Sequence, residues 1–279
     1  MASVLAEQIE ELRADREHGA SWMARRAVEA LLDVADEPAP SGEALLERLI
    51  EAGRELAESR PGVASVAGAV GRVLAAAHGL RHLDAADLRR VVHEEAAAVL
   101  DARRRAARSI AIQLRSRVSG AVVVTHSASA TVREALVYGR PERVVCTVSQ
   151  PQEEGRAFAE NLRSEGLDVV LVADEDAPAQ LETAALFLVG ADTVYRDGTL
   201  CNKIGTHELA RAAAEEGVPV VVACEVIKLV PVDAADAPPL EEEAELFDLT
   251  PAELIDEIVT EEGAVWSDEV RSLIDRTPF

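Results

Sequence analysis

The hydrophobic pattern predicts that the first part of the chain is helical. From Ala6 to Ala111, apolar positions recur at helical spacing, leucine and alanine dominate, and runs of β-branched residues are absent. This pattern is typical of amphipathic helices. Proline and glycine interrupt it at residues 37–42, 60–62 and 78–79. We therefore predict a bundle of about four or five helices, of which the last runs from Ala85 to Arg117.

The pattern after Gly120 predicts a parallel sheet. Short valine-rich runs alternate there with helical segments, as in a sheet whose two faces are both covered by helices. The predicted strands are Ala121–Thr125, Arg143–Val148, Asp168–Val172, Leu186–Gly190 and Val218–Ala223. We expect an α/β protein with an N-terminal helical domain over residues 1–117 and a doubly wound, parallel-sheet domain over residues 118–279.

The last part of the chain gives two weaker signals. Asp233 to Glu245 is acidic, contains proline and lacks periodicity, so it predicts a surface loop. Thr250 is followed by Pro251 and Glu253, which is the order expected at the start of a capped helix.

The charge balance bears on possible partners. Lysine and arginine total 28 against 51 acidic residues, a net charge of −23, which disfavours direct nucleic-acid binding. Lys203 and Lys228 are the only lysines, a bias that we interpret as halophilic. The apolar runs are too short to cross a bilayer and the N-terminus lacks a signal pattern, so we expect a cytoplasmic protein without a membrane partner.

The three cysteines predict neither a disulfide framework nor a metal site. Cys146, Cys201 and Cys224 are odd in number, widely spaced and without a CxxC pair. We interpret them as buried, reduced thiols and expect no metal and no cofactor. Cys201 has a second interpretation as a reactive thiol, because it directly precedes Asn202 and Lys203, and a nearby cation lowers the pKa of a thiol.

Polar clusters follow the predicted strands, where ligands bind in doubly wound sheets. They are Thr125-His126-Ser127, Ser149-Gln150-Pro151, Gly190-Ala191-Asp192, Asn202-Lys203-Ile204-Gly205-Thr206 and Glu225-Val226-Ile227-Lys228. Asp192 offers a general acid or base, and Lys203 offers a positive charge for a phosphate. Two alternatives stay open: Asp192 and Lys203 pair with each other and cap the next helix, or His126 is a pocket wall instead of a base.

The order of these motifs resembles the alpha/beta/delta family of translation initiation factor two-B. The resemblance rests on Gly190-Ala191-Asp192, on the Asn202–Thr206 motif, and on the acidic residue before Lys228. The family also contains ribose-1,5-bisphosphate and methylthioribose-1-phosphate isomerases. The resemblance implies a small helical domain on a Rossmann-like domain, and homo-oligomers that form through the C-terminal domain.

Two positions depart from the isomerase pattern that the resemblance implies. The isomerases carry a cysteine after the Thr-His pair and an arginine in a Glu-Ser-Arg-Pro stretch, whereas this chain has Ser127 and Gln150. Asp192 matches the catalytic aspartate. A serine hydroxyl ionises far less readily than a thiol, and glutamine lacks the charged, bidentate grip of arginine on phosphate.

The first hypothesis is therefore a noncatalytic or regulatory protein that resembles initiation factor two-B and binds a nucleotide or sugar phosphate at the carboxyl edge of the sheet. The expected ligand-binding residues are His126, Ser149, Gln150, Gly190, Asn202, Lys203, Glu225 and Lys228. The alternative is a sugar-phosphate isomerase that uses Asp192 with an acid other than cysteine, for which Ser127 is the candidate.

The net charge of −23 predicts that salt stabilises the protein. The Debye length falls from about 10 Å at 0.1 M salt to about 3 Å at 1 M, which screens the repulsion between acidic side chains. We expect the thermal midpoint, followed by circular dichroism, to rise by several degrees over this range. NaCl and KCl at equal ionic strength should act alike, and a midpoint that is independent of salt would contradict the prediction.

Overall fold

The computed structural model describes residues 4–16, 18–80, 82–240 and 243–276. The chain divides into two compact units, the first ending at Arg104 and the second beginning at Arg105. This division lies within a helix and before residue 117, so the predicted domain boundary stays a prediction. Among the described residues, no helix is both long and apolar enough to cross a bilayer.

The first unit is helical. Its described helices are α1 (Val4–Ala14), α2 (Ala20–Asp36), α3 (Gly42–Ala57), α4 (Ala64–His78) and α5 (Ala85–Val118), which continues into the second unit. The predicted helical bundle is therefore confirmed. Ser41 caps α3, because its hydroxyl accepts a hydrogen bond from the Ala44 amide at 3.2 Å. A Cβ atom added to Gly53 would lie 2.3 Å from Leu74 Cδ1, so α3 and α4 pack closely.

The second unit combines strands with covering helices. Its described strands are β1 (Val122–Thr125), β2 (Arg143–Thr147), β3 (Val169–Val172), β4 (Leu186–Val189), β5 (Thr193–Val194), β6 (Leu200–Lys203), β7 (Val220–Ala223), β8 (Phe247–Thr250), β9 (Glu257–Thr260) and β10 (Gly263–Trp266). Its further α-helices are α6 (Ala130–Gly139), α7 (Glu154–Ser164), α8 (Ala177–Leu181), α9 (Thr206–Glu216) and α10 (Val270–Arg276).

The main sheet has the strand order β10-β9-β7-β4-β1-β2-β3. Every strand pair in it is parallel except β9–β10. Val123 belongs to the core that includes residues of α5, α6 and α7. Its neighbour Val124 belongs to the core that includes residues of α8, α9 and α10. Successive residues of a strand thus enter different cores, which explains the uninterrupted valine runs and confirms the predicted doubly wound fold.

A second sheet of three antiparallel strands, in the order β5-β6-β8, was not predicted. The expected helix cap at Thr250 is wrong: Thr250 ends β8 and pairs with Leu200 of β6. Only the short 3-10 helix Ala252–Leu254 follows. In the predicted acidic loop, residues 234–236 form another 3-10 turn, and residues 241–242 lie outside the described part of the chain.

The strand order reverses between β1 and β4, because β2 and β3 lie on one side of β1 while β4 and β7 lie on the other. Ligand crevices of doubly wound sheets open at such a switch point. Gly190 follows β4 there, and a Cβ atom at this position would lie 2.5 Å from Ser129 Oγ. A side chain at residue 190 would therefore collide with the start of α6.

Gly155 is predicted to be essential for the packing of α7 on β2. A Cβ atom at Gly155 would lie 1.9 Å from the Thr147 carbonyl oxygen, which is backbone and cannot move aside easily. We expect Gly155→Ala to lower the free energy of unfolding by about 1–3 kcal/mol, as overpacking does. Chemical denaturation followed by circular dichroism measures this.

Gly71→Ala is the control, because nothing lies within 4 Å of a Cβ atom added in the middle of α4. Alanine favours a helix over glycine by about 1 kcal/mol, so this variant should match or exceed the wild type. Equal unfolding midpoints for Gly155→Ala and wild type would refute the packing argument.

Candidate functional site

His126 lies directly after β1 and is 1% exposed. Its Nε2 atom lies 2.8 Å from the Ile204 carbonyl oxygen, and its Nδ1 atom lies 2.7 Å from Thr147 Oγ1. Because a carbonyl oxygen only accepts, Nε2 carries the proton and Nδ1 accepts from the threonine hydroxyl. Burial lowers the pKa of His126. A neutral ring with both nitrogens engaged favours the pocket-wall interpretation over a general base.

Two serines continue this network at the ends of β1 and β2. Ser149 Oγ lies 2.7 Å from Thr147 Oγ1 and accepts a hydrogen bond from the Ser127 amide at 2.8 Å. The Ser127 hydroxyl donates to Glu154 Oε1 at 2.7 Å. Ser127 and Ser149 both have positive φ angles, 67° and 66°. Non-glycine residues in this conformation are uncommon and cluster at functional sites.

Lys203 connects this network to the second sheet. Its Nζ atom donates to Glu154 Oε2 at 3.0 Å and also to Gln152 Oε1. The residue is 5% exposed, so its charge is withdrawn from water. A buried ammonium requires a counter-charge. Glu154, which begins α7, provides it.

The glycine-containing turn after β4 is held by the other lysine. Lys228 is 4% exposed, and its Nζ atom donates to the Ala191 carbonyl at 2.6 Å. The Asp192 amide donates to the Cys201 carbonyl at 3.1 Å, which ties the turn to β6. Asp192 is partly exposed, and Glu225 is buried directly after Cys224. Both lysines of the chain therefore support structure at the same edge of the sheet.

The two predicted amide ligands differ in their surroundings. Asn202 is buried, and its Nδ2 atom donates to Thr206 Oγ1 at 3.1 Å. The Thr206 hydroxyl donates in turn to the Lys203 carbonyl at 2.6 Å, so Asn202 shapes the turn before α9. Gln150 is exposed, and its Nε2 atom donates to Glu153 Oε1 at 2.9 Å. Gln150 is thus the more accessible of the two.

Sequence reasoning missed three carboxylates that hold this edge together. Asp174, after β3, accepts hydrogen bonds from the Ser149 and Gln150 amides, both at 2.7 Å. Asp248 of β8 accepts from the Gly205 amide at 2.7 Å and from the His207 amide at 3.2 Å, at the start of α9. Glu154 is the third. Among 51 acidic residues, nothing in the sequence distinguishes these three.

The cysteines are not placed to act as acids. Cys146, Cys201 and Cys224 are all buried and free of disulfides. Burial raises the pKa of Cys146 to about 12 and raises the pKa values of Cys201 and Cys224 well above the ordinary value. Thiols in such surroundings stay protonated and unreactive. The structure therefore disfavours Cys201 as a catalytic thiol, because its side chain is fully enclosed.

Comparison with known proteins shows the family to which the chain belongs. The model of the initiation factor 2 subunit family matches residues 16–246. This chain belongs to that family. A translation initiation factor eIF-2B subunit 2-like protein of Pyrococcus abyssi is 34% identical over 93% of this chain and 95% of its own.

The chain is also similar to an isomerase and to a protein whose crystal structure is known. The ribose 1,5-bisphosphate isomerase of Archaeoglobus fulgidus is 30% identical over 93% of this chain and 88% of its own. The crystal structure of the translation initiation factor eIF-2B of Pyrococcus horikoshii superposes with a TM-score of 0.82, at 28% identity, over 95% of this chain and 98% of that one. The relatives thus include both factor-like proteins and sugar-phosphate isomerases.

Burial of His126 predicts a loss of stability in weak acid. Because its pKa is lowered in the folded state, the unfolded chain binds a proton first as the pH falls through about 6.5. This contribution is present above that pH and is lost below it, at up to about 1.4 kcal/mol per pH unit for one proton.

The variant His126→Gln should be less stable than wild type at pH 8 but should lose less stability between pH 7 and pH 5. The charges of Asp174, Glu154 and Lys203 act on the ring, and the difference between the two stability profiles is the quantity to measure, by urea unfolding. His82→Gln, at an exposed position in the first unit, is the control and should follow the wild-type profile. Parallel profiles for His126→Gln and wild type would contradict the assignment.

Proposed function

We propose that this protein is a noncatalytic or regulatory member of the initiation factor 2 subunit family that binds a nucleotide or sugar phosphate at the carboxyl edge of its main sheet. The observation that carries the proposal is the state of Ser127. This residue stands where the isomerase pattern has a cysteine, and its hydroxyl donates to the Glu154 carboxylate. A hydroxyl cannot take over the acid role of a thiol near neutral pH.

The other groups of the site support binding more than turnover. The three thiols are buried with raised pKa values, so none replaces the missing acid. His126 is neutral and engaged at both ring nitrogens. The exposed Gln150 lacks the charge with which an arginine would hold a phosphate. Of the two catalytic positions of the isomerase pattern, that of Asp192 keeps its residue, and Asp192 is partly exposed.

The resemblance to the initiation factor two-B family and the amino-acid composition also support proposals about assembly, location and partners. We propose that the chain forms a homo-oligomer through its second unit and acts in the cytoplasm. Relatives named as eIF-2B-like proteins support a role connected with translation initiation. The net charge of −23 supports contacts with proteins and small molecules over direct contacts with nucleic acid.

The rival function is isomerisation of ribose 1,5-bisphosphate or a related aldose phosphate. It is favoured by Asp192 and by relatives named as ribose 1,5-bisphosphate isomerases, such as the Archaeoglobus fulgidus protein at 30% identity. In this case Asp192 would move a proton between neighbouring sugar carbons together with an acid other than cysteine.

An assay for formation of ribulose 1,5-bisphosphate from ribose 1,5-bisphosphate separates the two functions. We expect no turnover above the uncatalysed rate by the wild-type protein, while calorimetry detects saturable binding of the sugar phosphate. Lys203→Ala should abolish this binding, because the ammonium at the carboxyl edge is removed.

Turnover that is lost in Asp192→Asn but kept in Asp236→Asn would overturn the noncatalytic proposal. Asp236 is a suitable control because it is an exposed aspartate in the 3-10 turn of residues 234–236. Absence of binding by sugar phosphates, AMP and GDP would instead refute the ligand site.

A further inference from the structure

The anion-binding donors at the carboxyl edge already hold carboxylates of the protein. The Ser149 and Gln150 amides donate to Asp174. The Gly205 and His207 amides at the start of α9 donate to Asp248. The Ser127 hydroxyl and the Lys203 ammonium donate to Glu154.

A ligand phosphate that uses one of these donor sets must displace a carboxylate. Two of the three are fixed by backbone amides. Asp174 organises the turn after β2 and Asp248 caps α9, so removing either would leave amides unsatisfied within the framework of the site. These two carboxylates are structural supports.

Glu154 differs because it binds only side-chain donors in this cluster. Its partners come from two separate elements, the turn after β1 and strand β6. Its side chain is 20% exposed, against 7% for that of Lys203. The side chain of Glu154 is thus more exposed to solvent than that of the lysine with which it pairs. Rotation about the side-chain bonds of Glu154 would free both donors without breaking a backbone hydrogen bond.

The buried ammonium of Lys203 pairs either with the Glu154 carboxylate or with the phosphate of a ligand. A buried charge that loses its partner costs several kcal/mol, so Lys203 requires either Glu154 or another anion in its place. A phosphate offers oxygens that accept from both the hydroxyl and the ammonium. Exchange of one anion for the other keeps Lys203 paired throughout.

We propose that Glu154 is an internal competitor for the phosphate of the ligand and thereby determines the affinity and anion selectivity of the site. The carboxylate occupies the donors of Ser127 and Lys203 in the unliganded protein and leaves when a phosphate binds. This inference rests on the proposed function, since it concerns the same ligand site. The free energy needed to displace Glu154 lowers the affinity for phosphorylated ligands. Uncharged sugars are weaker hydrogen-bond acceptors and do not displace Glu154.

Calorimetric titration of Glu154→Gln with ribose 1,5-bisphosphate tests this. The glutamine keeps the size of the side chain but removes the charge, so we expect the dissociation constant to fall about tenfold or more relative to wild type, as loss of a competing charged hydrogen bond implies. The unliganded variant should unfold at a lower temperature, because Lys203 is left without its counter-charge, and the ligand should restore more stability than in wild type. Ribose should bind neither protein.

Glu175→Gln is the matched control. Glu175 is an exposed carboxylate after β3 at the same edge of the sheet, and its loss changes the net charge equally. A purely long-range charge effect would strengthen binding in both variants alike, which would overturn the displacement proposal.

If Glu154→Gln does not fold, Glu154→Asp takes its place. Aspartate keeps the charge but shortens the side chain by one methylene, so its hold on Ser127 and Lys203 weakens and the affinity for the sugar phosphate should rise by a smaller factor. If the wild type binds the sugar phosphate and the variants bind it with equal or lower affinity, the role of Glu154 is overturned. The proposed function is unaffected by that result. If neither the wild type nor the variants bind ribose 1,5-bisphosphate, AMP or GDP, the proposed function itself is overturned.

Discussion

Burial of both faces of the main sheet is the constraint on which the rest of the second unit depends. Alternate residues of the central strands enter two different apolar cores, as Val123 and Val124 do. Polar side chains then have no place along the strands and accumulate where the strands end. Because neighbouring strands run parallel, those ends meet at one edge, and the polar chemistry of the unit is concentrated there.

The same constraint explains how much of the fold was predictable. A strand buried on both faces produces an uninterrupted run such as Leu186–Val189, which is visible without any other information. The strands of the second sheet have a different sequence pattern. Asn202 and Lys203 in β6 pair with Asp248 and Phe247 in β8, and their polar side chains resemble a loop. Their strand conformation comes from a partner more than forty positions away along the chain, which local patterns do not reveal.

The candidate site was predictable only in part, because a residue of a rare type is noticeable in a sequence and a residue of a common type is not. The two lysines were noticeable because the chain contains no others, and both are buried at the carboxyl edge. Glu154, Asp174 and Asp248 contribute as much to the hydrogen bonds there, yet they are three among 51 acidic residues. Cys201 shows the opposite error: its position close to Lys203 in the sequence indicated a reactive thiol, whereas the side chain is fully buried and burial raises the pKa of the thiol well above its ordinary value.

Burial of Lys203 and Lys228 has a chemical consequence for the protein as a whole. All remaining side-chain cations of the chain are guanidinium or imidazole groups, so the folded surface presents no lysine amine to acylating reagents or acetyl donors. The two ammonium groups become nucleophilic amines only when they leave their partners and lose a proton. Lysine acylation of this protein would therefore report local opening of the carboxyl edge, and its rate would measure how often that edge exchanges with water.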